Sequence, residues 1–526
     1  MPEYQVIQPS TPYTLQAIPG FPYQYWITQK DRYIDLMKWY NGTVLSEKDT
    51  VTGVEQYPIK VNPLRTTARR HASVLFGVNL DSINFGGLPL RFVPQPTDTI
   101  SDEGTLDSKP KEKNSRLAIV RDALTSTWQK NNGGALMYAN AILSQWLGGS
   151  VLAAKWLPDR GFIEINNPSP MEFYGIPDGV NYWELREAWI VREIQWHQLK
   201  AFGVTTQQPQ DMNLTMRYWY VEHWTKEEYQ ITINTVVLKD KDGNDYAGPN
   251  PFGFVPMTYI PHMREDTTFL GTGIINETVK GLIREMNVRL ADIGDAVSDD
   301  AHKFIAMRNV RGSAPTKKID GRTVVDLGSM TGVGAGEGNP DLFGVNISSA
   351  SVPMLNLFET LMTLYRREVD HPAVADGVDE GSQRSSLTLN SRMYPLESHA
   401  EIERIHWSIG LLKFNEILLK MMAMKGINNI VDTDVEIPLV VEWKPMLPRD
   451  REQIINEIAI RNATHTASKR HLMQVAGDIK DPDAEFQRIV EEQKLLQPIE
   501  NPPMQSNSKG PNTLAKEKSQ NQPDGP

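Results

Sequence analysis

The chain has 526 residues, and its 65 acidic against 54 basic side chains leave a formal net charge of −11. That balance excludes a protein that grips nucleic acid tightly through many phosphates at once, though not a surface past which DNA slides. Cysteine is absent, which excludes disulfides and thiolate metal sites, and at roughly 150 residues per domain the length provides for two to four folded units.

The first thirty positions are rich in proline and aromatics and lack a basic start and a continuous apolar core. They read as a packed arm, and no signal peptide is expected. A helix is predicted over Asp31–Tyr40, stopped by Asn41-Gly42. The next helix is framed by Asn62 as N-cap, Pro63 at its first position and Gly77 at its exit. A polar loop over 96–114 leads to a helix at about 114–131. Residues 131–154 carry no charge, as a membrane span would, but Asn140, Ser144 and Gln145 interrupt the apolar run and Gly148-Gly149 divides it. A buried helix over 135–147 and a strand over 150–157 are predicted instead.

From 150 to 260 the pattern is that of strands, notably at 186–194, 214–224 and 228–238. In the second, Met216, Tyr218, Tyr220 and Glu222 share one face and Arg217, Trp219, Val221 and His223 the other. Ile275, Val279, Leu282, Met286, Leu290, Ile293 and Val297 then recur at steps of three and four, which is one apolar stripe along a helix. Glu277, Glu285, Asp292, Asp295 and Asp299 follow the same rhythm on another face. At ~1.5 Å per residue, 274–300 spans about 40 Å. Gly294 costs this helix about 1 kcal/mol relative to alanine and would admit a close neighbour.

Strand-like pieces (Phe304–Val310, Thr323–Leu327) and the run GVGAGEG at 332–338 precede a second amphipathic helix over 352–370. That helix carries Leu355, Phe358, Met362, Tyr365 and Val369 on one side. Residues 371–392 are polar and read as a loop. A long helix at about 395–425, a strand at 435–443 and short helices near 449–462, 467–476 and 482–495 complete the pattern. The tail after Gln497 has the composition of a disordered segment.

Few residues point to catalysis. After GVGAGEG comes Asn339-Pro340, so no helix starts where a dinucleotide fingerprint needs one, and no P-loop exists; if DNA is moved, the motor is another protein. Asp240, Asp242 and Asn244 begin like a calcium loop, but Asp245 and Pro251 stand where glycine and glutamate are required, so a hairpin turn is expected. The histidines do not converge in sequence: His399 and His406 share a helix but sit ~10 Å apart along it, too far to chelate one metal. The cluster Arg65, Arg69, Arg70 and His71 is read as bridging to acidic neighbours, ahead of a nucleic-acid patch. The tryptophans are read as packing or subunit contacts, ahead of a sugar platform. No catalytic, cofactor or metal residue is assigned, and no cofactor is expected.

The order of these elements and four strings resemble the portal proteins, or head–tail connectors, of tailed bacteriophages. The strings are NPLRTTARRHASVLFG (62–77), LGTGIINETVKGLIREMNVRLADIGDAVSDDAHK (270–303), SSLTLNSRMYPLESHAEIERIHW (385–407), and LPRDREQIINEIAIRNATHTASKRHLM (447–473) with DPDAEFQRIVEEQ (481–493).

The resemblance implies an α+β portal fold: an α/β wing (31–271 and 394–445), two stem helices (272–302 and 352–370), a small β-containing clip (303–351), a tunnel loop (371–393) and a helical crown (446–497); the N-terminal arm (1–30) and the disordered tail (498–526) lie outside it. It further implies a ring-forming subunit, a dodecamer in virions, set at one capsid vertex and assembled in the host cytoplasm. Double-stranded DNA is packaged and ejected through it, and terminase, head–tail adaptor and major capsid or scaffold proteins are its partners, with no membrane and no enzymatic activity. By the same resemblance Glu277, Glu285, Asp292, Asp295 and Asp299 line the channel. Asp376, Asp379, Glu380, Gln383 and Arg384 belong to the tunnel loop, and Arg311, Lys317, Lys318 and Arg322 to the docking surface of the clip.

Carboxylates facing phosphates do not hold them, so DNA moves freely; Lys280, Arg284 and Arg289 temper that field and leave a mixed lumen of net negative sign. Two other readings compete. One is a carboxylate-dependent hydrolase of glycan or nucleic acid, which needs two carboxylates converging in one cleft. The other is a different virion structural protein.

Overall fold

The computed structural model describes residues 15–46, 59–77, 88–95, 110–158, 160–179, 181–195, 198, 217–239, 244–264, 269–301, 305–308, 318–319, 322–326, 341–344, 351–378, 386–444, 446, 451–469, 472–473, 485–486 and 488–492. They fall into two units, Met1–Pro448 and Arg449–Pro526.

In the first unit, α1 (Tyr23–Asn41) starts well before the predicted Asp31. Its first turns lack polar caps but carry Trp26, which buries with Leu15 and Ile18 against Trp189 and Val221 of a sheet. Tertiary packing thus starts the helix earlier than local signals do. Helix α2 (Leu64–Phe76) is capped as expected: Asn62 Oδ1 accepts from the Leu64 N–H at 3.2 Å, and Gly77 leaves the helix at φ 70°. The Asn62 amide also donates to the Trp39 carbonyl at 2.8 Å, which ties the end of α1 to the start of α2.

After β1 (Leu90–Pro94) come α3 (Pro110–Lys130), α4 (Gly133–Leu147) and β2 (Gly149–Leu157). The uncharged stretch is therefore a buried helix followed by a strand, and no described helix is long and apolar enough to cross a membrane. Strands β3 (Phe162–Asn166), β4 (Phe173–Asp178), β5 (Asn181–Gln195), β6 (Arg217–Thr225), β7 (Glu228–Ile233), β8 (Val236–Val237), β9 (Ala247–Pro249) and β10 (Met257–Pro261) follow. They form an antiparallel sheet in the order β4–β5–β6–β7–β8, with β9 on β7, and a smaller one in the order β10–β2–β3. The alternation expected of β6 holds, but both faces are covered. Tyr218 and Tyr220 bury on one side, and Val221 meets Trp26 on the other.

Helix α5 (Glu277–Ala301) leads to a four-stranded sheet of β11 (Ile305–Arg308), β12 (Lys318–Ile319), β13 (Arg322–Asp326) and β14 (Asp341–Gly344), ordered β12–β13–β11–β14. Helix α6 (Ser351–Glu368) returns. Next comes α7 (Ser386–Lys425), which contains Pro395 and begins before the predicted start at that proline. Met393, Leu396 and Ala400 all bury, and this common buried face carries the helix across a residue that normally breaks one. Further along, Trp407, Leu411, Phe414 and Leu418 form the centre of the largest core, against Trp128, Phe92 and Met137. Helix α8 (Asp432–Val435) and β15 (Leu439–Trp443) close the unit, β15 pairing antiparallel with β1. The mixture of helix and sheet agrees with the α+β class.

The second unit contains α9 (Arg451–Ala463), reinforced by an Arg461–Glu457 ion pair of 2.5 Å. Helical backbone recurs at 472–473 and 488–492.

Glycines set the root of α5. The Ile274 N–H donates to the Gln145 carbonyl at 2.7 Å, and a Cβ on Gly271 would lie 2.4 Å from the Gly148 carbonyl oxygen. Two backbones cross there with no room for a side chain. Gly271→Ala is expected to destabilise the chain by about 1–3 kcal/mol, the usual cost of overpacking, read as a lowered melting temperature. An unchanged melting temperature would show that the crossing relaxes freely.

Candidate functional site

The paired helices grow out of a buried root. Val279, Ile283 and Met286 of α5, Leu361 and Tyr365 of α6 and Val369 just after it pack with Tyr33, Trp39, Leu64 and Trp146. Asn276, just before α5, donates to Glu368 at the end of α6 at 2.9 Å, so the two helices run antiparallel. Asn287 is fully buried and pairs both ways with the Val61 backbone, accepting at 2.8 Å and donating at 2.9 Å. The Thr67 hydroxyl meets the Tyr365 hydroxyl at 2.9 Å, and Lys280 bridges Asp35 and Glu277, each at 2.7 Å.

Beyond the root the stripes emerge from cover. Leu290 and Ile293 are half-buried, and Val297 is 53% exposed. On α6, Leu361 is buried where Leu355 was expected, and Leu355 is exposed. Leu357 and Leu364 lie on one flank of the buried α6 stripe and Val352 and Leu355 on the other, all four exposed. On α7, Tyr394, Ile402, Ile405 and Ile409 make a further exposed apolar row at helical spacing.

The acidic face of α5 lies opposite its apolar stripe. Glu277 and Asp295 are exposed, and Glu285 and Asp292 half-exposed. Arg289 grips both of the latter, Glu285 at 2.5 Å and Asp292 at 2.9 Å, so a cation is set among these carboxylates. Arg284 lies over the Trp39 ring at 5.4 Å. The backbone of α5 includes Asp299, whose side chain is not among those described.

Asp376 sits in a short 3-10 turn (Ala373–Asp376) and is not a free loop carboxylate. It accepts from His371 Nε2 at 3.0 Å and pairs with Arg366 at 3.2 Å and Arg70 at 3.5 Å. Burial works against its charge, but His371 and the two arginines outweigh burial and hold the carboxyl below its ordinary range. Arg70 thereby bridges to an acid, as expected of the cluster on α2, while Arg65 donates to Asn41 at 2.8 Å. Asp379, Glu380, Gln383, Arg384, Arg311 and Lys317 lie outside the described residues, as do Asp240 and Asp242. Lys318 and Arg322 are on the β12–β13 hairpin, where Lys318 pairs with Thr323 and Ile319 with Arg322.

The hydrolase reading needs a cleft with two carboxylates. A cavity of about 490 Å³ is lined by Trp156, Tyr220, Trp224, Tyr229 and Phe252 together with Glu164 and Glu222. The carboxylate of Glu222, however, accepts from the Tyr220 hydroxyl and, at 3.4 Å, from the Trp224 indole, which is the work of a structural anchor. Trp189 stacks on His223 at 3.5 Å inside the sheet, the packing role expected of the tryptophans. Three residues are placed to hold a metal: His262, His399 and Glu403, all buried. Along the sequence these histidines do not converge. The single local signal was the four-residue spacing of His399 and Glu403, which sets both on one face of α7.

Burial pushes the His371 imidazole below its ordinary value near 6.5, with Asp376 acting in the opposite sense. Its contribution to stability is complete above that value and falls as acid protonates the unfolded chain first. Asp376 stays ionised through this window. The thermal stability is therefore expected to fall between pH 7.5 and 5.5, with a shallower slope in His371→Gln; an identical slope would contradict the assignment.

A family model described as phage portal protein, SPP1 Gp6-like, matches residues 197–498. No curated protein matches the chain.

Proposed function

The chain belongs to the SPP1 Gp6-like phage portal protein family, and on that footing we propose that it closes into a ring at one capsid vertex, through which double-stranded DNA is packaged and later ejected. The family is structural, non-enzymatic in general and located in the virion capsid. The observation that carries the reading is the pair of exposed apolar flanks on α6, Leu357 with Leu364 and Val352 with Leu355, on helices whose inner ends are locked into the body. A face-to-back contact repeated by rotation buries both flanks at once and leaves an axial hole. The ring is a dodecamer in this reading, assembled in the host cytoplasm.

With the apolar sides sealed, the carboxylate face of α5 turns to the hole. Glu277, Glu285, Asp292, Asp295 and Asp299 then repel phosphates, and Arg289 softens the field, so that DNA slides without being gripped. The segment 371–393 forms the constriction, with Asp376 at its anchored base and Asp379, Glu380, Gln383 and Arg384 beyond it. Arg311, Lys317, Lys318 and Arg322 of the small sheet dock the terminase during packaging and an adaptor afterwards. The helices after 446 meet capsid or scaffold protein.

Two experiments test this. Leu357→Glu with Leu364→Glu is expected to shift assembled rings to monomers and small oligomers in mass photometry, with the circular dichroism spectrum retained; rings of unchanged size would contradict the interface. Glu277→Lys with Asp295→Lys is expected to leave rings intact but slow packaging in vitro severalfold, with partial recovery at raised salt. Packaging at the original rate would remove these residues from the channel wall.

A further inference from the structure

Four buried histidines come together from separate segments. His71 stands on α2, His262 just past β10, His371 after α6 and His399 on α7. The ring centroids are 4.9 Å apart for His71 and His399, 5.4 Å for His262 and His399, and 5.5 Å for His71 and His371. Glu403, one turn beyond His399, is fully buried among them. We propose that His262, His399 and Glu403, joined by His71, hold one divalent transition-metal ion of the zinc class.

The ligand geometry supports this first. One donor atom from each of His262, His399 and Glu403 lies within 4.8 Å of the others. A tetrahedral zinc ion would draw them in by up to about 1.5 Å, within reach of side-chain torsions. Two imidazoles with a carboxylate favour zinc, cobalt or nickel over magnesium or calcium, which prefer all-oxygen shells.

The surrounding hydrogen bonds support it independently. His399 Nδ1 is engaged by Asp370 at 3.1 Å, and its other nitrogen, Nε2, is buried with no hydrogen-bond partner among the described residues. A carboxylate orienting a histidine so that the far nitrogen faces inward is the usual support of a metal ligand. Gln145 donates to both oxygens of Glu403, at 2.9 and 2.8 Å, and so orients that ligand too. Both nitrogens of His71 are buried without a hydrogen bond of ordinary geometry among the described residues; Gln145 engages the ring only weakly, which leaves a nitrogen for a fourth ligand.

Charge supplies the remaining reason. A carboxylate enclosed on all sides needs a positive partner. At 2.8 Å, His262 supplies one when protonated. A metal ion supplies it while also using the orphaned Nε2 of His399, which a single proton on His262 leaves unpaired, and a nitrogen of His71. Bound there, the ion would fasten α2, the end of β10 and α7 together. Through Asp370 and His371 it would also fasten the turn that leads to Asp376.

The test uses the purified full-length protein, stripped with EDTA and titrated with zinc chloride. One zinc per chain is expected by calorimetry and by metal analysis after dialysis. The melting temperature should fall in EDTA and recover with zinc, and X-ray absorption should show a nitrogen- and oxygen-only shell containing imidazole. His399→Gln and Glu403→Gln should each weaken zinc roughly a hundredfold or more, while His465→Gln, on an exposed histidine, should not. The wild-type measurements stand alone if a variant fails to fold. No stoichiometric zinc together with a melting temperature indifferent to EDTA would overturn the proposal, as would zinc retained undiminished in both ligand variants.

Discussion

An apolar stripe longer than the surface available to cover it governs this structure. The root of α5 and α6 is enclosed by α1, α2 and α4, and there Val279, Ile283, Met286 and Tyr365 are buried. Farther out the described residues offer each helix only the other, so Val297, Leu355, Leu357 and Leu364 face solvent. Apolar side chains repeated on two flanks of a rigid rod are poorly explained by the described fold, because nothing among the described residues covers them. In the proposed ring, neighbouring copies related by rotation would bury these side chains.

A projecting rod must be held at its base, and that base is polar as well as apolar. Asn287 pairs with the Val61 backbone in both directions. Thr67 meets Tyr365, and Asp376 gathers His371, Arg366 and Arg70. Because unpaired polar groups in an interior are costly, these contacts allow one orientation of the helices relative to the body and few others. The Gly148–Gly271 crossing adds a steric lock beside them. Under the proposed function, such rigidity would let the body set the position of the turn that carries Asp376.

Local signals made much of this legible. The three-and-four spacing of the α5 stripe, the opposed acidic face and the Asn62 and Gly77 boundaries of α2 all follow from residues close in sequence. Where reading failed, distant contacts had overruled local preference. Pro395 looks like a helix start, yet burial of Met393 and Leu396 carries α7 through it. Trp26 reads as part of a packed arm, but the partners it packs on, Trp189 and Val221, are remote in sequence. Asp376 looks like a loop carboxylate, although its partner Arg70 comes from a helix remote in sequence. The histidine cluster was illegible for the same reason: only His399 and Glu403 are near each other along the chain.

The most direct measurement is electron cryomicroscopy of the assembled full-length protein, at a resolution that places side chains on the projecting helices. The account predicts a closed ring in which Glu277, Asp292 and Asp295 border the axial opening while Leu357 and Leu364 lie beneath a neighbouring copy. Carboxylates turned to the outer surface, or those leucines left in solvent within a closed ring, would contradict it.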